Sequence, residues 1–261
     1  MTVRRALFQA LEGLRDRSAG GLVRRLADGS HGGAIFAAQG RICWATSAGP
    51  SELSDLLQGG SGHAVPRERL DEALRRSREE EAAPGSVALA SEDALRRELL
   101  RDICEAIRAL VVHDGSWEWV NHDGLTHSPA LAFGVAEVSS ALSAQENPTL
   151  VERARQRLER VVLRAQHGFT LDEGELMPLA HVGCGALPPG ALFGHARQAQ
   201  DLMALGQTAL ATGLIAAIDG ATSAIWREDR LLYVVVDPDG NAVNRLVPQL
   251  AAATGAKAEA D

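Results

Sequence analysis

Lysine is nearly absent: of the 26 basic residues only Lys257 is a lysine, and it stands close to the end of the sequence. A phosphate-binding loop needs its lysine just after a glycine-rich turn, and no such arrangement occurs. Cysteine is also scarce, with Cys43, Cys104 and Cys184 far apart. An odd count without a pairing pattern speaks against a disulfide framework and fits a reducing compartment, and no two of the three share a zinc-ligand spacing. Missing too is any run near the ~18 apolar residues of a membrane-spanning helix. Arg15, Asp16 and Arg17 follow Leu14 closely, so the opening residues lack the apolar stretch of a signal peptide. The expected location is therefore cytoplasmic, with no membrane span. Positive charge is short as well. The net charge is -8, and basic pairs such as Arg24–Arg25, Arg75–Arg76 and Arg96–Arg97 are diluted by Asp28, Glu79 and Glu98. Nucleic acid is not an expected partner.

What is present is ordinary globular composition: 261 residues, 46% hydrophobic and 23% charged. That length favours two small domains over one large one. In the first half, Leu7, Ala10, Leu11 and Leu14 share a helical stripe over 7–18, and Ser18-Ala19-Gly20-Gly21 stops it. Short β runs follow at Leu22-Val23, Ala34–Phe36 and Ile42–Ala45, joined by glycine turns as in an antiparallel meander. Residues 52–57 and 66–80 read as helices. Ser91 opens a longer helix with Leu95, Leu99, Ile103, Ile107 and Leu110 on one face, and Trp117–Val120 returns to strand alternation. This order, with Gly21-Leu22, Gly33-Ala34-Ile35-Phe36, Gly40–Ala45 and Asp114-Gly115-Ser116-Trp117-Glu118-Trp119, resembles the bacterial PATAN-type domain and its relatives over residues 5–122. The resemblance implies an interaction module found beside signalling domains, with no known activity.

In the second half, 138–142 is helix-like and Asn147-Pro148 marks a boundary. A helix is expected over Thr149–Gln166, with Val151, Ala154, Leu158, Val161 and Val162 at helical spacing. Strands follow at Phe169–Leu171 and Glu175–Ala180, then a long helix over Ala191–Ala211 with Leu192, Ala196, Ala199, Met203, Ala209 and Leu210 on its apolar side. Asp219-Gly220 joins strands 214–218 and 222–226 in a hairpin. Leu231–Val236 is apolar almost throughout, the mark of a central strand covered on both faces. Asn241 is expected to cap a last helix with Val243, Leu246, Val247 and Leu250 on one face, and the tail beyond Ala253 to fray. Helix, two strands, long helix, three strands, helix resembles the Roadblock/dynein light chain family over residues 149–252. That resemblance implies a homodimer and, in its bacterial members, a Ras-like GTPase as partner.

Cys184, with His181 or His195 as base, would make a cysteine-dependent enzyme. However, Val182 and Ala186 stand where a nucleophile elbow has glycines, and a small thiol in a glycine-rich turn explains it. Gly183-x-Gly185 lacks the third glycine and the βαβ context of a dinucleotide site. His113, His122 and His127 near Asp114 and Asp123 form no ligand spacing on a helix, and Asp219-Gly220 and Asp237–Gly240 are explained by turn chemistry. Trp117 and Trp119 share a strand face, either as core or as a binding surface.

The sequence thus predicts an α+β protein of two small domains, each a short, mostly antiparallel sheet with packed helices. They span 1–140 and 146–255, with a disordered tail at 256–261. The expected role is a non-enzymatic signalling adaptor or scaffold without catalytic residues, cofactor or metal. Self-association is expected through the long helix, with Leu192, Phe193, Leu202 and Leu205 at the interface. These residues widen its apolar face beyond what one small sheet covers.

Overall fold

The computed structural model describes residues 11, 19–47, 71–73, 75, 91–112, 114–121, 131–164, 166–172, 175–183, 189–207, 213–218 and 220–255. The chain divides into two compact units, Met1–Ala141 and Leu142–Asp261. The fold class is α+β: each unit is an antiparallel sheet with helices packed on it. Of the helices expected at 7–18, 52–57 and 66–80, only Leu11, 71–73 and Arg75 are described, and these are helical.

The first unit contains β1 (Ala19–Leu26), β2 (His31–Ala38), β3 (Arg41–Thr46), α1 (Ser91–Val112), β4 (Gly115–Asn121) and the start of α2 (Val135–Glu146). Its sheet runs β3-β2-β1-β4, so the fourth strand returns to lie beside the first. Gly20 and Gly21, expected to stop a helix, belong instead to β1. Trp119 of β4 lies across Gly20 so closely that a Cβ would collide with its ring and with the Val120 carbonyl. The missing side chain lets the two strands close. Helix α1 packs across β2 and β3, burying Leu99, Ile103, Ile107 and Leu110.

The outer edge of β3 is covered. Ile42 N–H donates to the Phe133 carbonyl and Phe133 N–H to the Ile42 carbonyl, each at 2.8 Å. Arg41 Nη2 donates to Ala132 O at 2.5 Å. Phe133 is fully buried, with the Arg96 guanidinium 4.3 Å from its ring centroid. Arg96 Nη2 also donates to both Glu137 oxygens, at 2.8 and 2.7 Å.

The second unit contains α3 (Pro148–Val161), β5 (His167–Asp172), β6 (Glu175–Val182), α4 (Pro189–Gln207), β7 (Gly213–Ile218), β8 (Ala221–Glu228), β9 (Leu231–Asp237) and α5 (Val243–Thr254). Strand order is β6-β5-β9-β8-β7. The nearly all-apolar β9 is central and buried along its whole length. Its alternate residues serve two layers. Leu231, Tyr233 and Val235 join one core with α3 and α5, where the Trp226 and Tyr233 rings stack 5.1 Å apart. Leu232, Val234 and Val236 point the other way, and α4 packs on β6, β7, β8 and β9.

Three local expectations are corrected. Helix α3 ends at Val161 rather than Gln166, because Val162 is extended and the Gln166 side chain accepts the Leu163 N–H at 2.9 Å. Its start is set by Asn147, whose Oδ1 accepts the Leu150 N–H at 3.2 Å, with proline in the first turn. Asn241 does not cap α5. Ala242 holds that position without a side-chain bond, and the preceding turn is fixed by Asp239 Oδ1 accepting Asn241 N–H at 3.1 Å. Finally, Val243 and Val247 are about half exposed; the inward face of α5 is Leu246 and Ala253, with Leu250 partly buried beside them.

Candidate functional site

Of the four residues expected at an interface, three have described side chains, and they lie in different environments. Leu192 is 2% exposed and belongs to the buried face of α4, together with His195, Ala196, Ala199 and Met203. A side chain enclosed by its own unit is not available to a partner, so Leu192 is removed from the candidate surface. Leu202 is half-buried, while Leu205 is 72% exposed. The Phe193 side chain, Ala209 and Leu210 lie outside the described residues. Helix α4, which carries Leu205, packs on β7 as well as on β6, β8 and β9.

β7 itself is regular. It pairs with β8 from Gly213↔Trp226 to Ile218↔Ala221 without a register shift. Leu214, Ile215 and Ala216 are partly exposed and Ala217 is exposed. Among the described residues no strand pairs with its other side.

A second feature, not foreseen in the sequence, joins the end of β9 to α3 and α5. Asp237 is buried and accepts from Gln166 Nε2 at 2.8 Å and from Arg245 Nη2 at 2.9 Å. It also accepts the Asp239 N–H at 3.0 Å. Burial acts to raise its pKa, but these donors outweigh it and hold the carboxyl below its ordinary range. Gln249 Nε2 donates to the Val161 carbonyl at 2.5 Å and to Gln166 Oε1 at 2.8 Å, tying α5 to the end of α3. Beside this network opens a cleft of about 410 Å³ lined by Arg160, Val161, Leu163, Arg245, Pro248, Gln249 and Ala252. Arg245, eight positions after Asp237, was a readable partner. Nothing local points to Gln166, which meets Asp237, or to Gln249, which meets Gln166, both across long sequence separations.

The remaining candidates are placed as follows. Cys184 lies outside the described residues, as do His113, His122, His127, Asp123 and Asp219. His181 is half-buried, His195 is buried, and His167 Nδ1 lies 2.6 Å from the Gly183 carbonyl. Burial pushes the Cys43 thiol up to about 11 and the Cys104 thiol up to about 12, so both are protonated near neutral pH. Trp117 and Trp119 are half-buried on the edge strand β4. The Arg24 guanidinium lies 4.9 Å from the Trp117 ring centroid, and Trp119 Nε1 donates to Asn121 Oδ1 at 2.7 Å. Asp237 and Asp239 both accept hydrogen bonds from Arg245.

Compared with known proteins, the chain matches no family model and no curated protein.

Proposed function

We propose that the protein is a non-enzymatic signalling adaptor or scaffold, acting in the cytoplasm through protein–protein contacts, and that its second unit joins two copies into a homodimer. The observation that carries this reading is the regular outer edge of β7, with which no described strand pairs. A strand edge presents a row of backbone donors and acceptors, and proteins that keep such an edge to themselves interrupt it with charge, proline or a bulge. β7 has none of these: it reads Gly-Leu-Ile-Ala-Ala-Ile and pairs regularly with β8. Leu205, largely exposed, stands on the helix that packs against it. Exposed backbone next to exposed apolar surface is what strand addition requires.

The resemblance to the Roadblock/dynein light chain family makes a second copy of the chain the occupant of that edge. By the same analogy of fold, a small Ras-like GTPase or a two-component protein is the onward partner, and the PATAN-like first half is a further interaction module. Charged replacement of the exposed helix surface, Leu202→Arg with Leu205→Glu, should give a folded monomer, seen by light scattering and circular dichroism together. A wild-type chain that stays monomeric at high micromolar concentration would sink the homodimer. An unfolded double variant would assign these leucines to the core.

A further inference from the structure

The cleft between the end of α3 and α5 combines an apolar floor with uncommitted positive charge. Leu163, Pro248 and Ala252 supply the floor, and Leu163 is 52% exposed. Pro248 has no N–H, so the helix offers no donor from that position to the Asn244 carbonyl one turn earlier. Gln249 is already committed to Val161 and Gln166, and Arg245 to Asp237 and Asp239.

Arg160 is different. Among the described arginines, Arg160 and its near neighbour Arg164 are the two that make no ion pair, hydrogen bond or ring contact. Elsewhere on α3 the same residue type is engaged: Arg153 with Asp229, Arg155 with Glu152 and Glu159, Arg157 with Glu228. Arg160 lines the cleft, and Arg164 follows the exposed Leu163 in the sequence. In a chain of net charge -8, this pair of guanidiniums is complementary to a carboxylate carried next to an aliphatic side chain.

We infer that this cleft is the docking site for an acidic, leucine-bearing peptide segment of a partner protein. Its carboxylates pair with Arg160 and Arg164, and its aliphatic side chain lies over Leu163, Pro248 and Ala252. The inference rests on the reading of the chain as an adaptor, but it concerns a surface separate from the β7 edge.

The test is fluorescence anisotropy of the full chain with a labelled peptide of alternating Glu and Leu. Two comparison peptides carry Gln for Glu or Ser for Leu, and phosphatidylglycerol vesicles serve as an anionic surface. The Glu–Leu peptide should bind, weaken as salt is raised, and outcompete both comparison peptides. Arg160→Glu with Arg164→Glu should weaken it about tenfold or more, the range of a lost charge-assisted hydrogen bond. Leu163→Ser should weaken it as well. Both variants change exposed positions, and their melting curves should match wild type. Equal binding by the variants, equal binding of the Gln peptide, no binding at all, or binding of the vesicles alone would each overturn the assignment. The Leu202→Arg, Leu205→Glu chain should keep full peptide affinity, so failure of the cleft and failure of the homodimer are read separately.

Discussion

The two units treat the edges of their sheets differently. In the first, β3 is closed by the chain itself: residues 132–133 run beside it, bonded through Ile42 and held by Arg41. In the second, β6 is guarded by Pro178 and by register shifts around Leu171, while β7 at the far side of the same sheet has no such device. A sheet edge can be satisfied by its own chain, spoiled against pairing, or left fit for pairing. Of the four sheet edges, β3 is covered, β4 carries the exposed charge of Glu118 and β6 holds a proline, so among the described residues β7 is the edge without such a device.

The largest expected effect comes from opening the edge that is closed. Phe133→Ala would empty a fully buried site beneath the Arg96 guanidinium and loosen the cover over β3. A loss of about 3–5 kcal/mol is expected from the size of the cavity, measured by urea denaturation. If the cover matters as argued, the variant should also self-associate more than wild type.

The converse change guards the edge that is open. Ala217 is exposed on β7, and Ala217→Lys places a charge there. About tenfold weaker self-association is expected with little loss of stability, measured by sedimentation of the folded variant. Unchanged self-association would remove β7 from the interface.

A smaller effect is expected at the closed end of β9. Asp237→Asn should cost about 1–3 kcal/mol, because it removes the charge that Arg245 and Gln166 address in a buried position. The sign with pH follows from the depressed pKa of Asp237. The wild-type advantage is fully present above the ordinary carboxyl range and declines as pH falls through the lower folded value. Denaturation curves of the two chains should therefore draw together in acid.

Much of the architecture was legible in residues that act locally. The apolar run of β9 placed it at the centre of its sheet, the Asp219-Gly220 turn set the β7–β8 hairpin, and the Leu99–Leu110 stripe gave the buried face of α1. What was missed depends on distant partners. Gly20 reads as a helix stop until Trp119, nearly a hundred positions later, is laid across it. The end of α3 depends on the Gln166 side chain and on Gly168, where a Cβ would strike Val162. Val243 and Val247 fit a helical stripe as well as Leu246 does, but the rotation of α5 on the sheet decides which of them is covered. In the candidate surface, helical spacing sets Leu192 with Ala196, Ala199 and Met203, the face that is buried, and Leu205 on the far side, which is exposed.

The arginines that grip main-chain carbonyls suggest how the molecule comes apart in acid. Arg24 holds Gly115, Arg41 holds Ala132, and Arg157 holds Ala253. A guanidinium and an amide oxygen have nothing to titrate between neutral and strongly acid solution, so these clasps persist where carboxylate pairs dissolve. The corner built on Asp237 lacks that immunity, since Gln166 and Arg245 converge on an acid and Gln249 is bonded to Gln166. On acidification the amide hydrogens near Leu163 and at the start of α5 should exchange with solvent before those that join β1 to β4. The first sheet would then outlast the α3–α5 corner of the second, with acidity setting the order of local opening.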